Sequence, residues 1–383
     1  MSIVSFLRFL RKGDKDLFDV PAEEQKKYLD SFPEPNNDID RSLFQYKCQS
    51  FFWPKWKAPV FNIGAFMAFF PVLLLEWARS VIVHRCQQKD AISEFAGMEE
   101  CVPEELSRDF DVWHSNNSVK GMLTLNDLVF VLKVFYKSFP NVYFSLKILL
   151  KTAQYSQKIR MYNPRAFIVH CEFSFTSSVL TQFCEQKGVE HIDVMHGEKL
   201  YHIYDSFFRF SKCYVWSEFY KSLFVKLRAY SKQFVIRVPS SLRIETNNYL
   251  KPEFYADYKY YLGEFSESEF ASIVESMNKL KAQGKSVKYR VHPRYLSDLS
   301  IIEKYVLPSE IENPRLVSIL ESVSNCTYAV SNYSTVLSQA FMSGKKVIID
   351  DVTFKSLYEK LAEYDYWLAK ENCLRLSEVV HID

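Results

Sequence analysis

Glycine is scarce in this chain, with nine residues in 383. None of the nine forms G-x-G-x-x-G or G-x-x-x-x-G-K-[ST], the loops that cradle phosphate in dinucleotide-dependent dehydrogenases and P-loop enzymes, so both classes lose their main support. The eight cysteines, Cys48, Cys86, Cys101, Cys171, Cys184, Cys213, Cys326 and Cys373, contain no C-x-x-C pair. In a chain this long they read as reduced thiols of a cytoplasmic protein rather than as a disulfide framework. Zinc-site spacing of His and Cys is missing, and no D-x-D stands in a strand context; Asp350-Asp351 lacks that spacing, so no metal site is expected. Neither a signal-peptide cleavage pattern nor a targeting tail is legible. An excess of one charge is missing as well: 48 basic against 46 acidic residues leave +2, which gives no nucleic-acid signature, and no nucleic-acid partner is expected.

What the chain does have is length and aromatics. Its 383 residues are enough for two domains, and 32 Phe with 24 Tyr suit large apolar cores or a membrane-facing surface. Met1 to Lys15 sets Ile3, Val4, Phe6, Leu7, Phe9 and Leu10 beside Arg8, Arg11, Lys12 and Lys15. This is a short basic amphipathic helix that either lies on an anionic membrane or packs as an ordinary terminal helix. Residues 21–56 are polar and punctuated by proline, which predicts an irregular segment. Ala58 to Leu75 is uncharged for eighteen residues and flanked by Trp53, Lys55, Trp56 and Lys57 on one side and Glu76, Trp77 and Arg79 on the other. Three readings stay open for it: a spanning helix at the short end of the usual length, a surface contact with the inner face of the membrane, or a buried helix pair. Gly64, Asn62 and Pro71 weigh against spanning.

After a polar segment at 87–120, helical in part, apolar residues recur at helical spacing over 123–136 and 142–155. From Ala166 onward, short β-rich runs alternate with helical ones. Ala166–Val169 ends on His170, Cys171 and Glu172, and the strand from Val189 ends on His196, Gly197 and Glu198. Strands follow at Cys213 and Phe234, then a polar hinge over 239–252. In the later half, the run to Val291 ends on Arg290, His292, Pro293 and Arg294. Cys326–Val330 leads into Ser331, Asn332, Ser334 and Thr335, a helix to Met342, a stop at Gly344 and a strand Lys346–Ile349. That order is a βαβ unit with a parallel sheet, and hydroxyls at a helix start suit phosphate. The expected organisation is an N-terminal domain over 1–240, a nucleotide-binding domain over 253–350, and a helical tail over 351–383 that could cross back to the first domain.

The R-x-H-P strand end, the S-N-Y-S-T helix start and the G-K-x-V-I strand together resemble the C-terminal half of a GT-B glycosyltransferase of bacterial surface-polysaccharide synthesis. The similar groups are the capsular Kdo transferases, the sialyl- and polysialyltransferases, and the CDP-glycerol glycerophosphotransferases. The resemblance covers about Ala166 to Ile349. It implies an α/β fold of two doubly wound Rossmann-like domains facing a cleft. It also implies a nucleotide-sugar donor, commonly cytidine-based, as co-substrate with no other cofactor, and a glycan or lipid-linked acceptor. By the same resemblance Arg290, His292, Pro293, Arg294, Ser331, Asn332, Ser334 and Thr335 hold the nucleotide phosphate. His196 is then the base, with Glu198 or Glu172 as carboxylate alternatives.

The implied activity is inverting, metal-independent transfer from a CMP- or CDP-activated donor to a capsule or lipopolysaccharide/lipooligosaccharide glycan, in the cytoplasm or on the inner face of the membrane. Two alternatives stay open: transfer of glycerol phosphate or ribitol phosphate to a teichoic-acid-like polymer, and a non-catalytic membrane-associated scaffold of the same fold. The His196-Gly197 pair, which resembles the HG motif of the teichoic-acid enzymes, continues here as EKLYHIYD where those enzymes carry other residues, so substrate contacts do not transfer.

Overall fold

The computed structural model describes residues 13–81, 87–95, 99–114, 121–244, 249–293, 299–371 and 373–380. Most of the basic N-terminal segment and Arg294 lie outside the described residues. The chain divides into two compact units, Met1–His196 with Tyr201–Arg237, and Gly197–Leu200 with Val238–Asp383. Each is built on one six-stranded parallel sheet, so the expected pair of doubly wound α/β folds is present.

In the first unit the strands are β1 (Ala91–Ser93), β2 (Val112–His114), β3 (Ala166–Val169), β4 (Glu190–Val194), β5 (Lys212–Val215) and β6 (Phe234–Ile236). They run in the order β2-β1-β3-β4-β5-β6, with Ile168 opposite Ile192. All four residues of β3 are buried, as a strand covered on both faces requires. Residues 87–120, expected to be polar and partly helical, contribute β1 and β2. Three residues are too few for a period to show, and Ala91 gains its strand status by pairing with Ala166. Residues 21–56 are not irregular either. They form helices Ala22–Asp30 and Asp38–Ser50, the second capped by Asn37, whose side chain accepts from the Ile39 and Asp40 backbone N–H groups.

The apolar run is one helix, Lys57–Ala78, with Pro71 inside it. A buried helix pair is thereby excluded: only Ala65, Phe69, Leu73 and Glu76 form its buried stripe, apart from Lys57 at its start. This stripe packs on helices Val142–Tyr162 and Leu125–Ser138, and Phe69 stacks on Phe135 with ring centroids 4.4 Å apart. Gly121 sits between the apolar helix and the Val142–Tyr162 helix. A Cβ there would lie 2.6 Å from the Ala153 Cβ and 2.8 Å from a Glu76 carboxylate oxygen.

The second unit holds β7 (Ala256–Tyr261), β8 (Val287–Arg290), β9 (Ile311–Glu312), β10 (Cys326–Ser331), β11 (Lys346–Ile349) and β12 (Leu374–Arg375), ordered β12-β11-β10-β7-β8-β9. Helix Glu267–Ala282 starts at a reciprocal Ser266–Glu269 capping box and is followed by Gly284 at φ 78°. The expected C-terminal helix breaks in two, Lys355–Glu363 and Trp367–Lys370, with Asp365 between them at φ 56°. Beyond it the chain stays with the second unit. It adds β12 to the sheet edge and buries Leu376 and Val380 in that unit's core, where their apolar surface leaves water.

Candidate functional site

In each sheet the strand order reverses at one point, between β1 and β3 in the first unit and between β7 and β10 in the second. Chains leaving the carboxyl ends of such neighbours turn to opposite faces, and the crevice between them is where doubly wound folds take ligands. Most sequence-predicted site residues fall at one of these two crevices or beside it.

In the first unit, His170 follows β3 and His196 follows β4. Their rings meet at 4.5 Å between centroids, and Phe95, just past β1, lies 4.8 Å from the His170 ring. Both imidazoles are half-buried. Among the described residues nothing hydrogen bonds the buried His170 Nδ1. The loop between them is fixed from below: Asp193, fully buried, accepts the Cys171 N–H at 2.8 Å, and Trp216 Nε1 donates to the Met195 carbonyl at 3.2 Å. Gly197 then takes φ 73°, a conformation costly for other residues, which turns the chain away immediately after the imidazole. Glu172 is 0% exposed, and Gln45 Nε2 donates to its backbone carbonyl at 2.8 Å. A carboxylate without exposed surface is poorly placed to meet an acceptor, so the structure favours the imidazoles at this end.

In the second unit, β10 runs into the helix Thr335–Met342, with Ser334 as N-cap accepting the Val336 N–H. Ser331 Oγ donates to the Tyr261 carbonyl at 2.7 Å, tying the end of β10 to the end of β7 across the reversal. Asn332 turns its Oδ1 back to the Tyr333 N–H, and Thr335 is exposed at the helix start. A helix start with exposed hydroxyls and its dipole's positive end is suited to a phosphate. Glu198 belongs to this unit, where its carboxylate accepts a short hydrogen bond from Ser338 on the same helix. Partial burial first, and the Glu198 charge second, raise the Tyr333 phenol to about 12.

Arg290 does not end in solvent. It is buried, and its Nη1 donates to Glu312 at 2.7 Å and to the Val317 carbonyl at 2.9 Å. His292 and Pro293, two and three residues on, are exposed. Asp350 is committed inward, accepting from the Tyr260 hydroxyl at 2.6 Å and from the Val352 and Thr353 N–H groups, while Asp351 accepts from Ser377.

Two residues at the crevices escaped the sequence reading, Phe95 after β1 and Gly263 after β7. A Cβ on Gly263 would lie 3.9 Å from Asn332 Oδ1, so it faces the serine turn. Their one signal was position, since each follows the first strand of its sheet.

No family model matches the chain, and no curated protein matches it. Among solved structures it is similar to the UDP-GlcNAc 2-epimerase of Methanocaldococcus jannaschii in complex with UDP-GlcNAc and UDP, at 14% identity and TM-score 0.40 over 69% of this chain and 83% of that one. It is also similar to the calicheamicin glycosyltransferase CalG4, at 10% identity and TM-score 0.42 over 72% and 83%. A putative UDP-N-acetylglucosamine 2-epimerase from Listeria monocytogenes matches at 10% identity and TM-score 0.43 over 71% and 82%.

Proposed function

We propose that this chain is a glycosyltransferase of the GT-B type that moves a sugar from a nucleotide donor to a hydroxyl of a growing glycan. The observation that supports this most is the β7/β10 crevice, where Ser331, Asn332, Ser334 and Thr335 gather at a capped helix start with Gly263 opposite. Phosphate oxygens fit there because helix-start N–H groups and hydroxyls supply donors. His292 and Arg294 are the side chains assigned to the departing phosphate charge. Arg290 acts one step behind them, as a buried prop for the strand end.

In this reading His196 takes the acceptor proton while the bond from the anomeric carbon to the donor phosphate breaks, and the acceptor oxygen attacks from the opposite face with inversion. The phosphate leaves as an anion, stabilised by protein cations and the helix start rather than by a metal. The donor is CMP- or CDP-activated and the product a capsule or lipopolysaccharide/lipooligosaccharide glycan. Transfer of glycerol phosphate or ribitol phosphate is the second reading, favoured by the imidazole pair at the His-Gly turn.

Calorimetric titration with CMP, CDP and UDP, followed by a mass-spectrometric donor screen, is the test. Cytidine nucleotide binding that Ser334→Ala weakens, together with sugar transfer, supports the proposal. Binding of no nucleotide sinks it, and transfer of a polyol phosphate selects the second reading.

A further inference from the structure

The Lys57–Ala78 helix turns most of its apolar side chains outward. Val60, Ile63, Phe66, Met67, Phe70 and Leu74 are all exposed, Met67 by 68%, and only 17% of its most apolar window is buried. Helix Leu125–Ser138, packed beside it through Phe69, Phe70 and Phe135, continues the surface with Leu125, Val129, Leu132 and Tyr136, then Phe139. Monomeric soluble proteins seldom show so many contiguous large apolar groups.

Charge on this face has one sign. The only carboxylates within the two helices, Glu76 and Asp127, are buried and paired, Glu76 with Arg79 and Asp127 with Lys187. The exposed ionic groups are Lys133 and Lys137, on the same stripe as Val129 and Tyr136, with Lys55 just before the first helix. Trp56 and Trp77 stand exposed at the two ends of the apolar helix, the place aromatic residues take at a membrane interface.

The first helix is also anchored along its inner side. Asn62 Oδ1 accepts the Tyr143 N–H at 2.9 Å, and the Glu76 carbonyl accepts the Leu123 N–H at 2.9 Å. A helix crossing a bilayer by itself would have to abandon these bonds. A helix lying in the interface keeps them.

We propose that these two helices form an in-plane binding surface for an anionic phospholipid bilayer, their apolar face seated among the acyl chains and Lys55, Lys133 and Lys137 among the headgroups. The inference stands apart from the donor reading, because vesicle binding needs no nucleotide. Its test is flotation of the full chain with vesicles of equimolar phosphatidylcholine and phosphatidylglycerol, against vesicles of phosphatidylcholine alone. The wild type should float with the anionic vesicles and weakly with the neutral ones. Met67→Glu and Val129→Glu should each reduce flotation by about tenfold. Lys133→Ala and Lys137→Ala should cost up to about fivefold each, the factor for one basic residue at an anionic surface.

All four side chains point outward, so circular dichroism should stay unchanged and the comparison remains one of binding. Three results would overturn the proposal: no flotation of the wild type, retention of the protein in membranes after alkaline carbonate, which marks a spanning helix, or a wild-type dimer that Met67→Glu dissociates without altering vesicle binding, which makes a second copy the occupant.

Discussion

The guanidinium of Arg290 lies 2.7 Å from the carboxylate of Glu312, and the ammonium of Lys259 lies 2.5 Å from its other oxygen, all three groups being buried. Burial alone would push the Glu312 carboxyl up. That is the largest single effect, but the Lys259 charge and the hydrogen bonds from Lys259, Ser322 and Arg290 together outweigh it and hold the group below its usual value. Glu312→Gln strands two cations in the core of the second unit and should cost about 3–5 kcal/mol in urea unfolding. Arg290→Ala should likewise lower the unfolding midpoint. An Arg290→Ala protein as stable as wild type that has lost nucleotide binding would instead place the guanidinium on the ligand.

His292 is exposed, so His292→Ala should leave the unfolding midpoint where it is while lowering turnover by about a hundredfold, the cost of one lost group at a developing charge. Ser334→Ala should behave differently, losing about 1 kcal/mol of stability with the helix cap as well as nucleotide affinity. Paired calorimetry and unfolding curves separate the two. Near-normal turnover in both variants would remove the phosphate site from this turn.

If His196 is the base, His196→Ala should lower kcat by about 10²–10⁴ with donor KM little changed. Glu198→Gln should act mainly through Ser338 and the donor-side helix, raising donor KM. The opposite split in steady-state kinetics would assign the proton to the carboxylate. His170→Asn should lower kcat with donor KM little changed, because its ring packs against His196.

Acid should weaken the first unit through His191. Burial lowers this imidazole to about 3, with Tyr155 at 3.1 Å on one nitrogen and Thr181 at 2.8 Å on the other. The unfolded chain binds that proton near pH 6.5, so the stability associated with His191 is present above the unfolded value and falls as pH drops toward 3. The expected slope is about 1.4 kcal/mol per pH unit for one proton. His191→Gln should flatten the acid limb of a stability–pH curve by that amount, and an unchanged slope would show that the imidazole is not the group responsible.

Much of the second unit was readable because its signals are local. An apolar run, Ser334 before a helix and Gly344 after it mark β10, the helix and β11 without reference to distant residues. Helices 125–138 and 142–162 likewise announced themselves by period. What stayed hidden depends on partners far along the chain: β1 exists through β3, and Arg290 is withdrawn from the strand end by Glu312, twenty-two residues on. The helix that Asn37 caps was missed because the prolines just before it predict a loop.

Gly121 gives the first unit a seam. With any larger residue there, Ala153 and the Glu76 carboxylate would be forced apart, prising the apolar helix off the Val142–Tyr162 helix while the sheet beneath kept its own filling.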